Sequence, residues 1–206
     1  MSEIQRYLIP AAPHQTEEEI KRSRFITTVA WTPDVDAARD FIRQVRDQHP
    51  NANHNCWAYV AGPPGSTAYV GMSDDGEPHG TAGRPMLTVL LHSNIGEIAA
   101  VVTRYFGGTL LGKGGLVRAY SGGVKQALDT LSTVEKIPLA TAIVMVDYAA
   151  VTPLRNLLPD HAATIIQEDF GVDVTLHIEL PQEYFEQFES AVVNLTSGNA
   201  IVERRA

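Results

Sequence analysis

The chain has 206 residues, 44% hydrophobic and 19% charged, a composition that suits a folded globular protein and excludes a disordered or low-complexity chain. Its single cysteine, Cys56, excludes an intramolecular disulfide, and no apolar run approaches the roughly 20 residues that span a bilayer. The net charge of −8 is uneven: residues 137–206 hold ten acidic and three basic side chains, net −7, whereas residues 1–136 hold fourteen and thirteen, net −1, which makes the C-terminal part a poor phosphate binder.

The N-terminus, Met1-Ser-Glu-Ile-Gln-Arg6, lacks an apolar signal segment, so the cytoplasm is the expected location. Lys21, Arg22 and Arg24 form a small basic cluster before the apolar, β-branched Phe25–Trp31, which reads as a strand. Asp34 can cap a helix whose apolar positions, Val35, Ala38, Phe41, Ile42 and Val45, recur at helical spacing. That helix ends before His49-Pro50, because proline disfavours helix in the residue before it. Asn55–Ala61 is a second strand, Gly62-Pro-Pro-Gly65 a turn, and Thr67–Met72 a third strand. Thr81–Leu91 reads as a helix capped near Thr81, and Ile98–Tyr105 as a central strand.

The next segment is the most informative. A loop with Gly107, Gly108, Gly112, Gly114 and Gly115 leads into a helix from about Leu116 to Leu131. Strand, glycine loop and helix start make an anion-binding device, since glycine lets backbone N–H groups converge and the helix N-terminus adds its positive end. Arg104, Lys113 and Arg118 supply cations beside it. The competing reading is a tight turn with close helix-to-sheet packing. Gly107–Lys113 matches G-x-x-x-x-G-K, but Gly114 replaces the hydroxyl residue that would hold Mg²⁺, which argues against a true P-loop. On the helix, Arg118, Gly122, Lys125 and Asp129 should face outward, and Leu116, Tyr120, Val124, Ala127 and Leu131 inward. Tyr105 and Phe106 could stack on bases, with Tyr120 expected in the core.

Three further clusters carry chemistry. Ser73-Asp74-Asp75-Gly76-Glu77-Pro78-His79 packs three carboxylates and a histidine into seven residues. Asp74, Asp75 and Glu77 could hold a hard cation, but pairing with Arg84 or Arg104 to structure the loop is preferred. His49, His54 and Cys56 fall short of a four-ligand zinc site. No hydrolase or kinase motif is present, so no metal, cofactor or catalytic residue is assigned.

After the weakly patterned Ser132–Pro138, where a boundary divides 1–136 from 137–206, the expected order is Thr141–Tyr148 strand, Thr152–Leu158 helix, Ala163–Phe170 and Val172–Leu180 strands, Gln182–Leu195 helix and Ala200–Arg204 strand. That β-α-β-β-α-β order is the ferredoxin-like split βαβ arrangement.

Lys21-Arg-Ser-Arg-Phe25, His49-Pro50 with His54-Asn-Cys-Trp57, Ser73–Pro78 with Gly80-Thr-Ala-Gly83, and Arg104–Tyr120 together resemble the IMPACT family. The resemblance implies an α+β protein of two domains. The first is a βαβ-type domain like domain IV of elongation factor G, and the second is a ferredoxin-like domain of the DUF1949 type. Eukaryotic relatives restrain the starvation-responsive kinase that phosphorylates an initiation factor, by competing for that kinase's activator. The resemblance implies a link to translation; with no catalytic motif and no membrane-spanning run, the expectation is a non-catalytic role with RNA, the ribosome or a translation-associated protein as partner, no DNA sequence specificity and no membrane. Arg24, Arg104, Tyr105, Gly107, Gly108, Gly112, Lys113, Gly114, Gly115 and Arg118 are the expected partner-binding residues. The alternative is an enzyme acting on a phosphorylated small molecule or nucleotide, which requires the acidic and glycine loops to share one cleft.

Overall fold

The computed structural model describes residues 6–205. The chain divides into a unit of Tyr7–Lys136 and a second unit from Ile137 onward, to which Arg6 also belongs.

The first unit contains β1 (Tyr7–Pro10), β2 (His14–Ile20), β3 (Ser23–Trp31), α1 (Val35–Gln48), β4 (His54–Val60), β5 (Val70–Ser73), α2 (Gly83–Leu91), β6 (Ile98–Tyr105), α3 (Lys113–Thr130) and β7 (Thr133–Lys136). Five strands form one sheet in the order β2-β3-β6-β4-β5, and every pairing is antiparallel. Because β3 and β4 flank β6 and both run against it, β3-α1-β4 is a βαβ unit split by β6. The β6 sequence IAAVVTRY is apolar almost throughout because both of its faces are covered. Ala99 and Val101 pack with Ala38, Ile42 and Val45 of α1. Ile98, Ala100 and Val102 pack on the other side with Met86 and Leu90 of α2 and Leu116, Tyr120 and Val124 of α3.

Local chemistry sets the boundaries. The Asp34 carboxylate accepts from the Ala37 N–H and caps α1 as expected. Thr81 does not cap α2; its hydroxyl donates to the Pro78 carbonyl instead. The carboxylate of Asp74, at the start of the loop that leads into α2, accepts from the N–H groups of Gly80, Ala82 and Gly83 and replaces an adjacent N-cap. Gly83 is required there, since a Cβ would meet the Ser73 backbone at 2.9 Å. Helix α3 starts at Lys113, three residues earlier than expected. Strands β1, β2 and β7 were not expected from the sequence. The β1–β7 pair is fastened by buried Glu97, which accepts from Tyr7 Oη at 2.8 Å, Trp31 Nε1 at 2.7 Å and Lys136 Nζ. Burial alone would raise the Glu97 pKa, but the donors Lys136, Trp31 and Tyr7 outweigh it and hold the carboxyl below its ordinary value.

The second unit contains β8 (Leu139–Val146), α4 (Tyr148–Leu157), β9 (Thr164–Phe170), β10 (Val174–Pro181), α5 (Phe185–Leu195) and β11 (Ile201–Arg205). Its antiparallel sheet has the order β11-β8-β10-β9, with the β-α-β-β-α-β element order anticipated above. Leu154, Phe185, Phe188 and Val192 pack on Val144, Leu176 and Ile178. Helix α4 begins earlier than the predicted Thr152 because the Asp147 carboxylate accepts from Ala150 N–H. Pro153 lies within that helix, and Pro159 falls in the 3-10 turn that follows it.

Candidate functional site

The predicted cations do not act alike. Alternation along β6 puts Arg104 on the same sheet face as Ile98, Ala100 and Val102, opposite Phe25 in register. It is only 5% exposed. Its Nη1 donates to Glu77 Oε1 at 2.5 Å, and its guanidinium lies between the Phe25 and Phe106 rings, 5.3 and 5.4 Å from their centroids. Arg104 is therefore not a surface cation but the partner of the acidic loop, the pairing preferred above, in which Arg84 takes no part. It neutralises a buried carboxylate, which also accepts from Tyr120 Oη at 2.7 Å.

Arg24 and Tyr105 face the other side of the sheet, a consequence of the same alternation. Arg24 is held by Glu17 through two hydrogen bonds, 2.6 and 2.8 Å, and lies over the Tyr105 ring. Tyr105 Oη is 3.0 Å from His49 Nδ1. Contrary to expectation, these two residues do not join Arg104 and the glycine loop in one patch.

The carboxylates of the acidic loop are similarly engaged. Asp74 is held below its ordinary pKa: burial pushes it up, but the hydrogen bonds from Gly80, Gly83 and Ala82 and the proximity of His79 win. Asp75 Oδ2 accepts from Asn55 N–H at 2.7 Å, and Oδ1 lies 3.4 Å from Arg46. Cys56 is buried, and its thiol donates to the Asp74 carbonyl. Burial pushes that thiol up to about 12; the Tyr120 hydrogen bond works against the shift and nearby Glu77, Asp75 and Asp74 reinforce it. A neutral thiol is a poor nucleophile. His49, His54 and Cys56 bond separately, and no metal-binding group of three such side chains occurs among the described residues.

The glycines divide by cause. At Gly107 a Cβ would overlap the Arg22 carbonyl, so this glycine serves close packing of the loop on the β2–β3 turn. Gly108 and Gly112 have φ of +82° and +73°, which glycine adopts freely. Gly114 has neither constraint, and Gly115 packs against Leu111. Gly112 is the N-cap of α3 and offers no side chain to its first N–H groups; no acidic residue lies in the first turn.

Glu77 and the glycine loop do share a cleft. It has a volume of about 470 Å³, with Glu77, Pro78, Arg104, Phe106, Leu110 and Lys113 among its walls. Phe106 and Leu110 are exposed, whereas Tyr120 is fully buried, as are the other inward positions of α3 except the half-buried Leu131.

Ion pairing reveals what sequence reading missed. In the first unit, Arg24, Arg39, Arg43, Arg46, Arg104 and Lys136 each have a carboxylate partner. Lys21, Arg22, Arg84, Lys113, Arg118 and Lys125 have none among the described residues and are all exposed. Lys125 does not pair with Asp129 one turn away, although the i, i+4 spacing would permit it. The six unpaired cations gather around α3. Lys113, Arg118 and Lys125 lie on the helix, Arg84 lines the same α2–α3 groove as Lys125, and Lys21-Arg22 form the turn that packs on Gly107. Only pairing in space, not counting in sequence, exposes this track.

The chain is thus a two-unit α+β protein with cations distributed along and around α3, beside a small cleft. An Impact N-terminal domain model matches residues 21–128, and a model of the domain of unknown function DUF1949 matches residues 144–199. The chain belongs to the IMPACT family. It is 47% identical to the IMPACT family member YigZ of Escherichia coli K12, over 95% of this chain and 96% of that one. It is 34% identical to YvyE of Bacillus subtilis 168, over 89% and 84%. A crystal structure described as a hypothetical protein aligns over 96% of both chains with a TM-score of 0.73 and 46% identity. A crystal structure from Thermus thermophilus shares the fold at a TM-score of 0.53 and 10% identity, over 99% of this chain and 29% of that one. No helix among the described residues is long and apolar enough to cross a membrane.

Proposed function

We propose that this chain is a non-catalytic binding protein that carries the α3 face to RNA, with the ribosome as the setting. The observation behind the reading is the segregation of unpaired cations. Six basic side chains with carboxylate partners are scattered over the unit, and six without partners among the described residues lie on α3 or on the segments next to it. From Lys113 to Lys125 the track runs about 18 Å at the rise of an α-helix, long enough to meet several phosphates. Cations without internal partners are free to displace counterions from a polyanion. The translation setting rests on family resemblance, which implies an N-terminal fold like domain IV of elongation factor G and a ferredoxin-like second unit. The cytoplasm is the matching location.

The test is co-sedimentation with ribosomes and separated subunits at low and moderate salt, comparing the natural chain with a Lys113→Ala/Arg118→Ala variant. Salt-sensitive binding that the variant loses supports the reading. Absence of binding by the folded protein at both salts overturns it.

A second reading, an enzyme acting on a phosphorylated small molecule, is favoured by one observation: the acidic and glycine loops face one cleft. Its acidic-loop base, Glu77, is engaged by Arg104 and Tyr120.

A further inference from the structure

We propose that the cleft at the head of the cationic track seats a single nucleotide, with its phosphate at the N-terminus of α3 and its base against Phe106 and Leu110. This rests on the RNA-binding reading and adds the chemical group that enters the cleft. The volume of about 470 Å³ lies within the usual range of small-molecule sites, about 300–1,000 Å³.

The phosphate seat follows from two independent features. The first N–H bonded within α3 is that of Leu116, to the Gly112 carbonyl, so the N–H groups of Lys113, Gly114 and Gly115 precede the helical ladder. They point from the positive end of an 18-residue helix, with Lys113 at its first position. Independently, Arg104 forms part of the cleft wall, is 95% buried by its 5% exposure, and leaves its Nε without a hydrogen-bond partner among the described residues. Its Nη1 and Nη2 bond to Glu77 and Ser23. A buried N–H that lacks an acceptor is costly, and an oxygen brought in by a ligand, with a small shift of the overlying Phe106 ring, would supply one.

The base seat follows from exposure. Phe106 is 44% exposed and Leu110 82% exposed, although both belong to the wall of a cleft. Flat apolar surface beside a phosphate seat suits a stacked base, which needs no particular sequence. Two polar groups could meet the base edge. Asn53 Oδ1 accepts from Phe106 N–H, which leaves its Nδ2 as a donor. His54 Nδ1 donating to the Asp75 carbonyl would leave Nε2 as an acceptor.

The experiment is a titration of the full chain followed by amide and arginine Nε–H NMR shifts. The probes are nucleoside 5′-monophosphates, the matching nucleosides, ribose 5-phosphate and inorganic phosphate. The monophosphates should shift Lys113, Gly114, Gly115 and the Arg104 Nε–H, and bind at least tenfold more tightly than every other probe. Lys113→Ala and Leu110→Ser should each weaken that binding severalfold; the second lies on an exposed side chain and spares the fold. No shift at these positions, or equal affinity for inorganic phosphate, overturns the proposal. Loss of nucleotide binding in Leu110→Ser with ribosome binding retained would separate this seat from the track. Nucleotide-insensitive cleft residues in a chain that still binds ribosomes would refute the seat and leave the track reading standing.

Discussion

The tip of the β2–β3 hairpin couples strain to the proposed binding surface. Ile20 pairs with Ser23, so Lys21 and Arg22 form a two-residue loop, with φ of +48° and +65°. Both central residues at positive φ is the pattern of a type I′ turn, for which Asn-Gly is the favoured pair. Left-handed backbone costs an L-residue roughly 1–2 kcal/mol, so the Lys-Arg tip stores about 2 kcal/mol or more. Replacing it by Lys21→Asn/Arg22→Gly relieves most of that strain, while the freer glycine raises unfolded-state entropy and gives back about 0.5–1 kcal/mol. The net gain is about 1 kcal/mol, a rise of about 3–4 °C in the melting temperature for a unit of this size. The main chain that meets Gly107 is retained. The same variant removes two cations, so its RNA affinity should fall and its salt slope should flatten by up to about 1.4 for single-stranded RNA. Thermal denaturation and fluorescence anisotropy at several salt concentrations check both halves. A variant that is no more stable, or one more stable with unchanged RNA affinity, refutes the idea that strain is retained there for binding.

Arg104→Ala leaves Glu77 buried without its cation and should destabilise the first unit by about 3–5 kcal/mol, whereas exposed Arg118→Ala should stay within about 0.5 kcal/mol; urea denaturation of both distinguishes a structural Arg104 from a surface one. Cys56, with its thiol raised to about 12, should resist a thiol reagent at pH 8 in the native state and react at once in denaturant, so rapid native labelling would contradict the burial argument. Asp74 has a depressed folded pKa, so its contribution is present above the unfolded carboxyl value of about 3.9 and is lost as pH falls through the folded value. Asp74→Asn should therefore be less stable at pH 7 and show a shallower loss in acid, and a parallel pH profile for the two proteins would refute the capping role.

Much of the fold could be read from periodicity. Asp34 and the apolar spacing after it defined α1, and the continuous apolar run of β6 marked a strand covered on both faces. Strand β2, HQTEEEI, escaped notice because it is polar and lies at a sheet edge, where only alternate side chains are half-buried. β7 lies where the pattern weakens, and its place depends on Lys136 reaching Glu97, a contact across 39 residues. The α2 cap is not Thr81, because Asp74, at the far end of the same β5–α2 loop, folds back onto the helix start. Arg104 was legible as a partner of the acidic loop, and its burial was legible too. It continues the two-residue alternation of Ile98, Ala100 and Val102, which predicts the buried face. The track was illegible because lack of a partner is a property of three-dimensional neighbours. Lys125 and Asp129 have favourable helical spacing yet remain apart, while Arg104 finds Glu77 across 27 residues.

The central claim is that the unpaired cations around α3 bind RNA. The direct measurement is the salt dependence of RNA affinity for single alanine variants of Lys21, Arg22, Arg84, Lys113, Arg118 and Lys125, set against Arg39→Ala and Arg43→Ala on α1. Each residue that touches phosphate should lower the slope of log affinity against log salt by about 0.7, and the α1 variants should leave it unchanged. Equal losses at α1 and α3, or a slope that no α3 variant alters, would contradict the account.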